Sequence, residues 1–472
     1  MIQLKVNNKQ IEVNNGASVL DACNAANIEV PTLCYLPDSE RHYTGCMVCV
    51  VECVGHKRLI PACSHPAETG MEIITDSQKI HDARKASLEL LAVEHVGDCD
   101  APCERVCPAG IDVPKLMRAV LNNEFEKAAH VLLNATPFIK LLAKYCSGAC
   151  EKGCRRKQRD TSVSIRAIER YVSQISDGVS LPKSNDCGKS VSVIGYHLSG
   201  LTAAEQLARS GCSVNLYKNL DSSASHAENP YEQDIQDEIH RVTQAGVQIH
   251  QEISLSQIQA LIKSEHAVIS TIDLELAACE NVFVSKNIAD AVKAIGEGRR
   301  LTASVLAYLH GNKCSHKPFM SMIGNIQQSE LFLMDGSSAA RNDKPELTAE
   351  DAITEASRCI HCDCRKSNNC RFRQYCTEYG VKSVINSQNR RLITQDSTHD
   401  SVVFEPGKCV RCGICVRLSS CNCESVGMSI LSRGYDVRIA PPLNKTICDA
   451  LTHDVSSIVQ NCPTGAFSYK RD

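Results

Sequence analysis

Cysteine is the feature that most constrains this chain, because 28 of its 472 residues are cysteine and most stand in short-spaced groups. The chain begins Met-Ile-Gln-Leu-Lys-Val, without the charged-then-apolar layout of a signal peptide, so we expect a cytoplasmic protein. In a reducing cytosol, grouped cysteines are more often metal ligands than disulfides. Runs of three thiols closed by a distant fourth favour cubane iron–sulfur clusters over zinc, which favours paired C-x2-C knuckles.

Composition narrows the class of protein further. Hydrophobic residues make up 43% and charged residues 22%, which is typical of a globular chain. The length predicts about three to five domains. The formal net charge of −3 gives no electrostatic reason to expect nucleic acid as a partner. No apolar run approaches the roughly 18 residues of a membrane-spanning helix, so we expect no membrane span.

The first unit, residues 1–78, combines a predicted β-hairpin with four cysteines. Ile2–Val6 and Gln10–Val13 alternate in polarity around Asn-Asn, and Ser18 is a candidate N-cap of the next helix. The spacing C-x11-C-x2-C-x13-C is formed by Cys34, Cys46, Cys49 and Cys63. With its flanking Pro-Thr-Leu-Cys-Tyr and Ile-Pro-Ala-Cys, this pattern resembles the β-grasp [2Fe–2S] domain of the NADH dehydrogenase large peripheral subunit and of [FeFe]-hydrogenases. The resemblance implies one [2Fe–2S] cluster; the alternative is four buried structural cysteines.

Residues 79–182 carry six further cysteines in a predicted helical unit. The stretch from Asp100 to Pro114, with the later Ser-Ile-Arg-Ala-Ile-Glu-Arg-Tyr, resembles the two-cluster helical domain of the glutamate synthase small subunit and of dihydropyrimidine dehydrogenase. The ligands cross over in that family. By the resemblance, one [4Fe–4S] cluster takes Cys99, Cys103 and Cys154, and the other takes Cys107, Cys146 and Cys150.

Six thiols leave two ligand positions of this domain to be filled by other residues. The family supplies one of them from Gln or Glu, which falls on Glu169. The other position, ahead of Cys99, holds His95, and a neutral imidazole is an acceptable iron ligand; the NADH dehydrogenase large subunit also uses one histidine with three cysteines. The alternatives are a helix-end histidine and a solvated helix carboxylate, neither with a role in metal binding.

Residues 185–312 begin as a βαβ unit that resembles the FAD domain of the glutamate synthase family, without its NAD(P)H-binding insertion. The fingerprint positions are Gly195, His197, Gly200 and Lys218. Histidine thus replaces the glycine that lets the backbone approach the pyrophosphate, and lysine replaces the acid that binds the ribose. The family's glycine-rich aspartate turn is replaced by Phe-Val-Ser-Lys-Asn, which ends at Asn287. We therefore expect a truncated, degenerate Rossmann-like domain that binds no FAD.

Two more groups of cysteines follow. In segment 313–385, the motif C-x2-C-x-C-x5-C consists of Cys359, Cys362, Cys364 and Cys370. It predicts one [4Fe–4S] cluster; a zinc knuckle is the alternative, and Cys376 is a candidate replacement ligand. In segment 386–472, a ferredoxin-like run and a distant fourth thiol are formed by Cys409, Cys412, Cys415 and Cys462. This segment resembles the last single-cluster part of the NADH dehydrogenase large subunit.

These patterns predict a multidomain α+β and α/β chain: a β-grasp ferredoxin domain, a helical two-cluster domain, a truncated Rossmann-like domain and C-terminal ferredoxin-like segments. One [2Fe–2S] and four [4Fe–4S] clusters would use eighteen cysteines, His95 and Glu169. The leading hypothesis is an electron-transfer subunit of a multi-subunit NAD(P)H-linked flavin oxidoreductase, in one version electron-bifurcating, that exchanges electrons with an NADH-oxidising flavoprotein subunit. The alternatives are an FAD-containing oxidoreductase in its own right and a cluster-based redox sensor.

Overall fold

The computed structural model describes residues 1–37, 44–220, 231–272, 279–286, 288–311, 317–386, 390–453 and 455–471. The chain divides into two compact units, and both are discontinuous in sequence. The first consists of Met1–Asp100, His316–Asp335 and His361–Asp472, and the second of Ala101–Ser315 and Gly336–Ile360.

The first unit is built on a mixed five-stranded sheet. The strands in spatial order are Lys9–Val13, Ile2–Val6, Glu72–Ile74, Val50–Cys53 and Ile60–Pro61. The predicted hairpin is confirmed: Asn7 and Asn8 turn the chain with φ angles of 45° and 67°, a region that asparagine tolerates. The predicted N-cap is also confirmed, because Ser18 forms a capping box with Asp21 at the start of helix Val19–Ala25.

The remaining elements of the first unit are short. The helices are Gln78–Glu94, Gln328–Leu331, Arg371–Glu378, Ile414–Cys421, Ile447–Ala450 and Ser456–Asn461, with 3-10 turns at Pro406–Lys408 and Gly434–Asp436. The two-stranded pairs are Ser321–Ile323 with Val384–Asn386, Val402–Phe404 with Phe467–Tyr469, and Ser429–Leu431 with Arg438–Ala440. Helix Gln78–Glu94 packs on helix Arg371–Glu378 through an apolar cluster that includes Leu88 and Phe372.

The second unit begins with helices and continues into a parallel sheet. The helices of the first part are Pro102–Arg105, Val113–Leu121, Phe125–Leu133, Ile139–Tyr145, Ala149–Gly153 and Ile165–Gln174, with a 3-10 turn at Arg155–Gln158. The parallel strands in spatial order are Val282–Val284, Ala267–Ser270, Ser190–Ile194, Ser213–Leu220 and Gln248–Ile253. The first strand in sequence therefore lies at the centre of the sheet.

Helices of the second unit cover this sheet and share one core with the helical part. They are Leu198–Arg209, Glu232–Glu238, His240–Gln244, Leu255–Ser264 and Ala291–Leu309, and Ala349–Ala356 follows later in the chain. Apolar residues of the sheet pack together with Phe138 and Leu141 of the helical part. Helices Leu198–Arg209 and Ala291–Leu309 approach closely at Gly298, where a Cβ would lie 2.5 Å from the Ser199 carbonyl oxygen.

Candidate iron–sulfur centres

The four N-terminal cysteines form two pairs in the first unit. The Sγ atoms of Cys34 and Cys46 are 3.4 Å apart, and those of Cys49 and Cys63 are 3.3 Å apart. All four side chains are buried. The Cys46 and Cys63 thiols hold the pKa of Cys34 well below its usual range. Two adjacent thiol pairs suit a [2Fe–2S] cluster, in which each iron takes two terminal thiolates.

In the second unit, the structure brings Glu169 together with three of the predicted thiols. Burial and then the charge of Glu169 raise the pKa of Cys146 to about 11, and the same two effects raise that of Cys150. The charge of Glu169 also raises the pKa of Cys107. Cys146 ends one short helix and Cys150 lies in the next, while Glu169 projects from helix Ile165–Gln174. Four residues from separate segments thus converge on one region.

Glu169 is not a solvated helix carboxylate, since its residue is only 1% exposed. Neither carboxylate oxygen has a hydrogen-bond partner of ordinary geometry among the described residues. Burial first, and then the charge of Glu151, raises the pKa of Glu169 to about 7. A buried carboxylate without partners is costly, and binding to iron would remove that cost. The donor set of three thiols and this carboxylate therefore fits a [4Fe–4S] cluster.

The thiol of Cys154, in the same unit, adjoins two buried arginines. Cys154 is buried, and burial raises its pKa, whereas the charges of Arg358 and Arg156 oppose that rise. Arg156 donates from Nη1 to the carbonyl oxygen of Arg358 at 2.6 Å, and both side chains are 1% exposed. These cations were not predicted from the sequence, because nothing in the local pattern distinguishes a buried arginine from a solvated one. They supply positive charge beside the thiol of Cys154, one of the predicted ligands.

The remaining predicted ligands are divided between the two units. His95, Cys99, Cys362, Cys364 and Cys370 belong to the first unit. Cys103, Cys154 and Cys359 belong to the second unit. The set predicted from the family resemblance and the set predicted from the C-x2-C-x-C-x5-C spacing therefore each include residues of both units.

His95 is buried and held in one tautomer. Its Nδ1 lies 2.9 Å from the carbonyl oxygen of Lys408, which can only accept, so Nδ1 carries the proton and Nε2 carries the lone pair. Burial and the Lys408 charge lower the pKa of His95 to about 4. The imidazole is therefore neutral at physiological pH, as a metal ligand must be.

The C-terminal thiols share one cavity in the first unit. Cys409, Cys412, Cys415 and Cys462 line it with apolar residues that include Ile439 and Phe467. Gly413, with φ of 72°, turns the chain into helix Ile414–Cys421 between the second and third thiols. Burial raises the pKa of Cys409 to about 12. A wall of four thiols around an apolar cavity fits the ferredoxin-type ligand set proposed from the sequence.

Close packing within the Rossmann-like domain explains the two glycines, Gly195 and Gly200, that remain of the dinucleotide-binding fingerprint. A Cβ at Gly195 would lie 2.4 Å from Thr271 Oγ1, and one at Gly200 would lie 2.5 Å from the Gly195 carbonyl oxygen. Lys218 Nζ lies 4.6 Å from the centre of the Tyr196 ring, a cation–π contact at the position expected for the ribose-binding acid. Asn287 lies outside the described residues. The retained glycines are therefore required by close packing inside the domain. They do not by themselves indicate a bound dinucleotide.

Comparison with protein families identifies two domains. Residues 1–78 match the family described as a 2Fe-2S iron–sulfur cluster binding domain. Residues 77–179 match the family described as dihydropyrimidine dehydrogenase domain II, 4Fe-4S cluster. Residues 1–179 are iron–sulfur cluster-binding domains. The chain is thus a mixed α/β, multidomain iron–sulfur protein with one 2Fe-2S domain and a 4Fe-4S domain.

Curated relatives match parts of the chain. The NADP-reducing hydrogenase subunit HndD of Solidesulfovibrio fructosivorans is 36% identical over 103 residues, which is 21% of this chain and 18% of the relative. The alpha subunit of the NADPH-Fe(3+) oxidoreductase of Geobacter sulfurreducens is 37% identical over 111 residues, 23% of this chain and 12% of the relative. The NAD-dependent dihydropyrimidine dehydrogenase subunit PreT of Escherichia coli K12 is 25% identical over 239 residues, 47% of this chain and 58% of the relative. The chain spans less than two thirds of each.

Two findings concern the described part of the chain as a whole. No helix there is both long enough and apolar enough to cross a membrane. Within the same residues, no three His, Cys, Asp or Glu side chains are drawn together closely enough to hold a single metal ion. A solved NAD+-reducing [NiFe]-hydrogenase aligns over 99% of this chain with 15% identity and a TM-score of 0.34, which is too low to indicate a shared fold.

Proposed function

We propose that this chain relays electrons through one [2Fe–2S] and four [4Fe–4S] clusters as a cytoplasmic subunit of a NAD(P)H-linked flavin oxidoreductase. The observation that carries the proposal is the convergence of Glu169 and three thiols in one buried region, where neither carboxylate oxygen has a hydrogen bond of ordinary geometry among the described residues. The thiol pairs of the β-grasp sheet and the four-thiol C-terminal cavity support two further clusters. The full set of ligands is the twenty residues inferred from the sequence.

Contacts between the cysteine-bearing loops of the first unit support the relay. Arg417 Nη2 donates to the carbonyl oxygen of Cys34 at 2.6 Å, which ties the C-terminal helix to the [2Fe–2S] loop. The charge of Cys34 is among those that raise the pKa of Cys412. On the other side, Cys370 Sγ donates to the carbonyl oxygen of Pro463 at 3.6 Å, directly after Cys462. Short steps between centres are what an electron relay requires.

The proposed partner is an NADH-oxidising flavoprotein subunit, and electron bifurcation is one version of the reaction. By their names, the relatives described above are subunits of oxidoreductases that use nicotinamide cofactors. We propose that this chain holds no FAD of its own, because Lys218 and His197 stand where binding needs an acid and a glycine. Its clusters would therefore receive electrons from another subunit.

The test is anaerobic purification of the full chain, followed by iron, sulfide and flavin analysis and by reduction experiments. The expected content is about eighteen irons with matching sulfide, from one two-iron and four four-iron clusters. Dithionite should bleach the visible absorbance, whereas NADH should do so only after a flavoprotein partner is added. Stoichiometric FAD released by acid, together with bleaching by NADH alone, would instead make the chain a self-sufficient flavoenzyme. A zinc-rich, iron-poor protein after strictly anaerobic reconstitution would refute the relay.

A further inference from the structure

We propose that His95, Cys99, Cys364 and Cys370 ligate one [4Fe–4S] cluster, assembled from segments that are far apart in the chain. The inference rests on the proposed relay and changes the grouping of its ligands. The family resemblance instead groups the first two residues with Cys103 and Cys154, and the motif spacing groups the last two with Cys359 and Cys362. All four residues of the new set belong to the first unit, where their contacts are described.

The first step of the argument is the backbone around Cys99. The Cys364 N–H donates to the Cys99 carbonyl oxygen at 3.3 Å, so the two ligand loops are hydrogen-bonded to each other. Ser321 holds the Cys99 loop from another side: its N–H donates to Cys99 Sγ at 3.3 Å, and its carbonyl oxygen accepts from the Cys99 N–H at 2.9 Å. An amide N–H directed at a sulfur stabilises the thiolate that a cluster needs.

The second step concerns Cys370, the N-cap of helix Arg371–Glu378. Its Sγ accepts from the Arg373 N–H at 3.4 Å. The Arg373 guanidinium binds the carboxylate of Asp100, which follows Cys99, at 2.9 Å and 3.1 Å. These contacts hold the start of the helix beside the Cys99 loop. In agreement, burial and then the charges of Cys364 and Cys99 raise the pKa of Cys370 to about 12.

The third step brings in His95. The His95 and Phe372 rings are 5.2 Å apart between centroids, so the imidazole packs on the helix that Cys370 caps. Lys408 fixes the imidazole through its carbonyl oxygen, and its Nζ donates to the carbonyl oxygen of Asp363 at 2.6 Å. One buried residue thus positions both His95 and the loop of Cys364, with His95 Nε2 carrying the lone pair.

The Cys364 thiol packs against Gly465, whose lack of a side chain leaves space for the sulfur. A Cβ at Gly465 would lie 2.3 Å from Cys364 Sγ, closer than any side chain can approach. Cys99, Cys364 and Cys370 are all less than a tenth exposed. Three buried thiols and one neutral imidazole complete the four positions of a cubane.

Cys376 is the competing ligand and provides the matched control. It is fully buried, and the charges of Cys370 and Cys99 contribute to its raised pKa. Cys370 and Cys376 belong to the same apolar cluster, but Cys376 lies further along the helix that Cys370 caps, whereas Cys370 Sγ accepts from the Arg373 N–H. A Cys376→Ala variant therefore removes an equally buried neighbouring thiol that the proposed set does not use.

The experiment is EPR spectroscopy of the dithionite-reduced full chain, with iron analysis of each variant. Cys99→Ser, Cys364→Ser, Cys370→Ser and His95→Ala should each weaken or convert one and the same [4Fe–4S] signal, with loss of up to about four irons. Cys103→Ser should change a different signal, and Cys376→Ala should leave all signals and the iron content unchanged. In pulsed EPR, this cluster alone should show a strongly coupled imidazole nitrogen.

His95→Cys distinguishes a lost ligand from a misfolded chain. It should keep four irons at this site, abolish the nitrogen coupling and leave the other signals intact. The grouping is overturned if Cys364→Ser and His95→Ala affect different signals, if Cys376→Ala removes the signal, or if His95→Cys keeps the nitrogen coupling. Those results would leave the relay standing, because the wild-type chain would still contain its clusters. A wild-type chain without iron or EPR signals would refute the relay itself and this centre with it.

Discussion

Removing iron should make the stability of this protein depend on the protonation of Glu169. In the chain without clusters, burial raises the pKa of this carboxyl from 4.5 to about 7. The folded state then binds the proton more tightly than the unfolded state does. Stability is therefore lost as pH rises from about 4.5 to 7, and at about 1.4 kcal/mol per pKa unit the full loss above pH 7 is about 3 kcal/mol.

The assay is urea unfolding of the chelator-stripped chain at pH 5 and pH 8, compared with Glu169→Gln. The amide does not titrate, so the variant should lack the loss of about 2.5 kcal/mol that the wild type shows between pH 5 and pH 8. In the iron-loaded chain, Glu169→Gln should keep its cluster because an amide oxygen can replace the carboxylate, whereas Glu169→Ala should lose it. Equal pH dependence in the stripped wild type and Glu169→Gln, or full iron and an unchanged EPR spectrum in Glu169→Ala, would refute the reasoning.

Three further predictions concern other centres. Cys46→Ser should erase only the [2Fe–2S] signal and lower the iron content by about two, which iron analysis and EPR would show; loss of a second signal would contradict separate ligand sets. Arg417→Met should make the [2Fe–2S] cluster harder to reduce, because a buried cation bound to the Cys34 carbonyl is removed; a redox titration that finds no decrease in potential would exclude this effect. Acid treatment of the isolated chain should release no FAD, and restoring the fingerprint with His197→Gly and Lys218→Glu should increase its affinity for added FAD, measured by fluorescence quenching; unchanged affinity would show that other losses dominate.

Secondary structure was predicted correctly where it depends on interactions between residues only a few positions apart. The Asn7-Asn8 turn depends on two residues that tolerate positive φ, and the capping box at Ser18 depends on a partner three residues away. By contrast, the strand Ser321–Ile323 was not predicted, because three residues paired with a distant segment leave no periodic pattern.

The candidate centres show where sequence reasoning reaches its limit. Spacing identified the four cysteines of the β-grasp domain, because they lie within one short segment, and the structure shows that their thiols form two pairs. The burial of Glu169 results from the packing of helices, and no spacing of acidic residues in the sequence predicts it. The contact between Cys99 and Cys364 joins segments that sequence spacing treats as unrelated. The boundaries of the five predicted domains stay predictions. So does the expectation that the Rossmann-like domain binds no FAD.

The discontinuity of the first unit has a consequence for biosynthesis. Met1–Asp100 leaves the ribosome well before the segment His361–Asp472 that completes this unit. Until then, the face of helix Gln78–Glu94 that packs on Phe372 and Tyr375 has no partner. Most of the second unit can fold in that interval, whereas the first unit cannot be completed. Nascent chains should therefore be the form most exposed to proteases at helix Gln78–Glu94, and cluster insertion near Cys99 should follow synthesis of His361–Asp472.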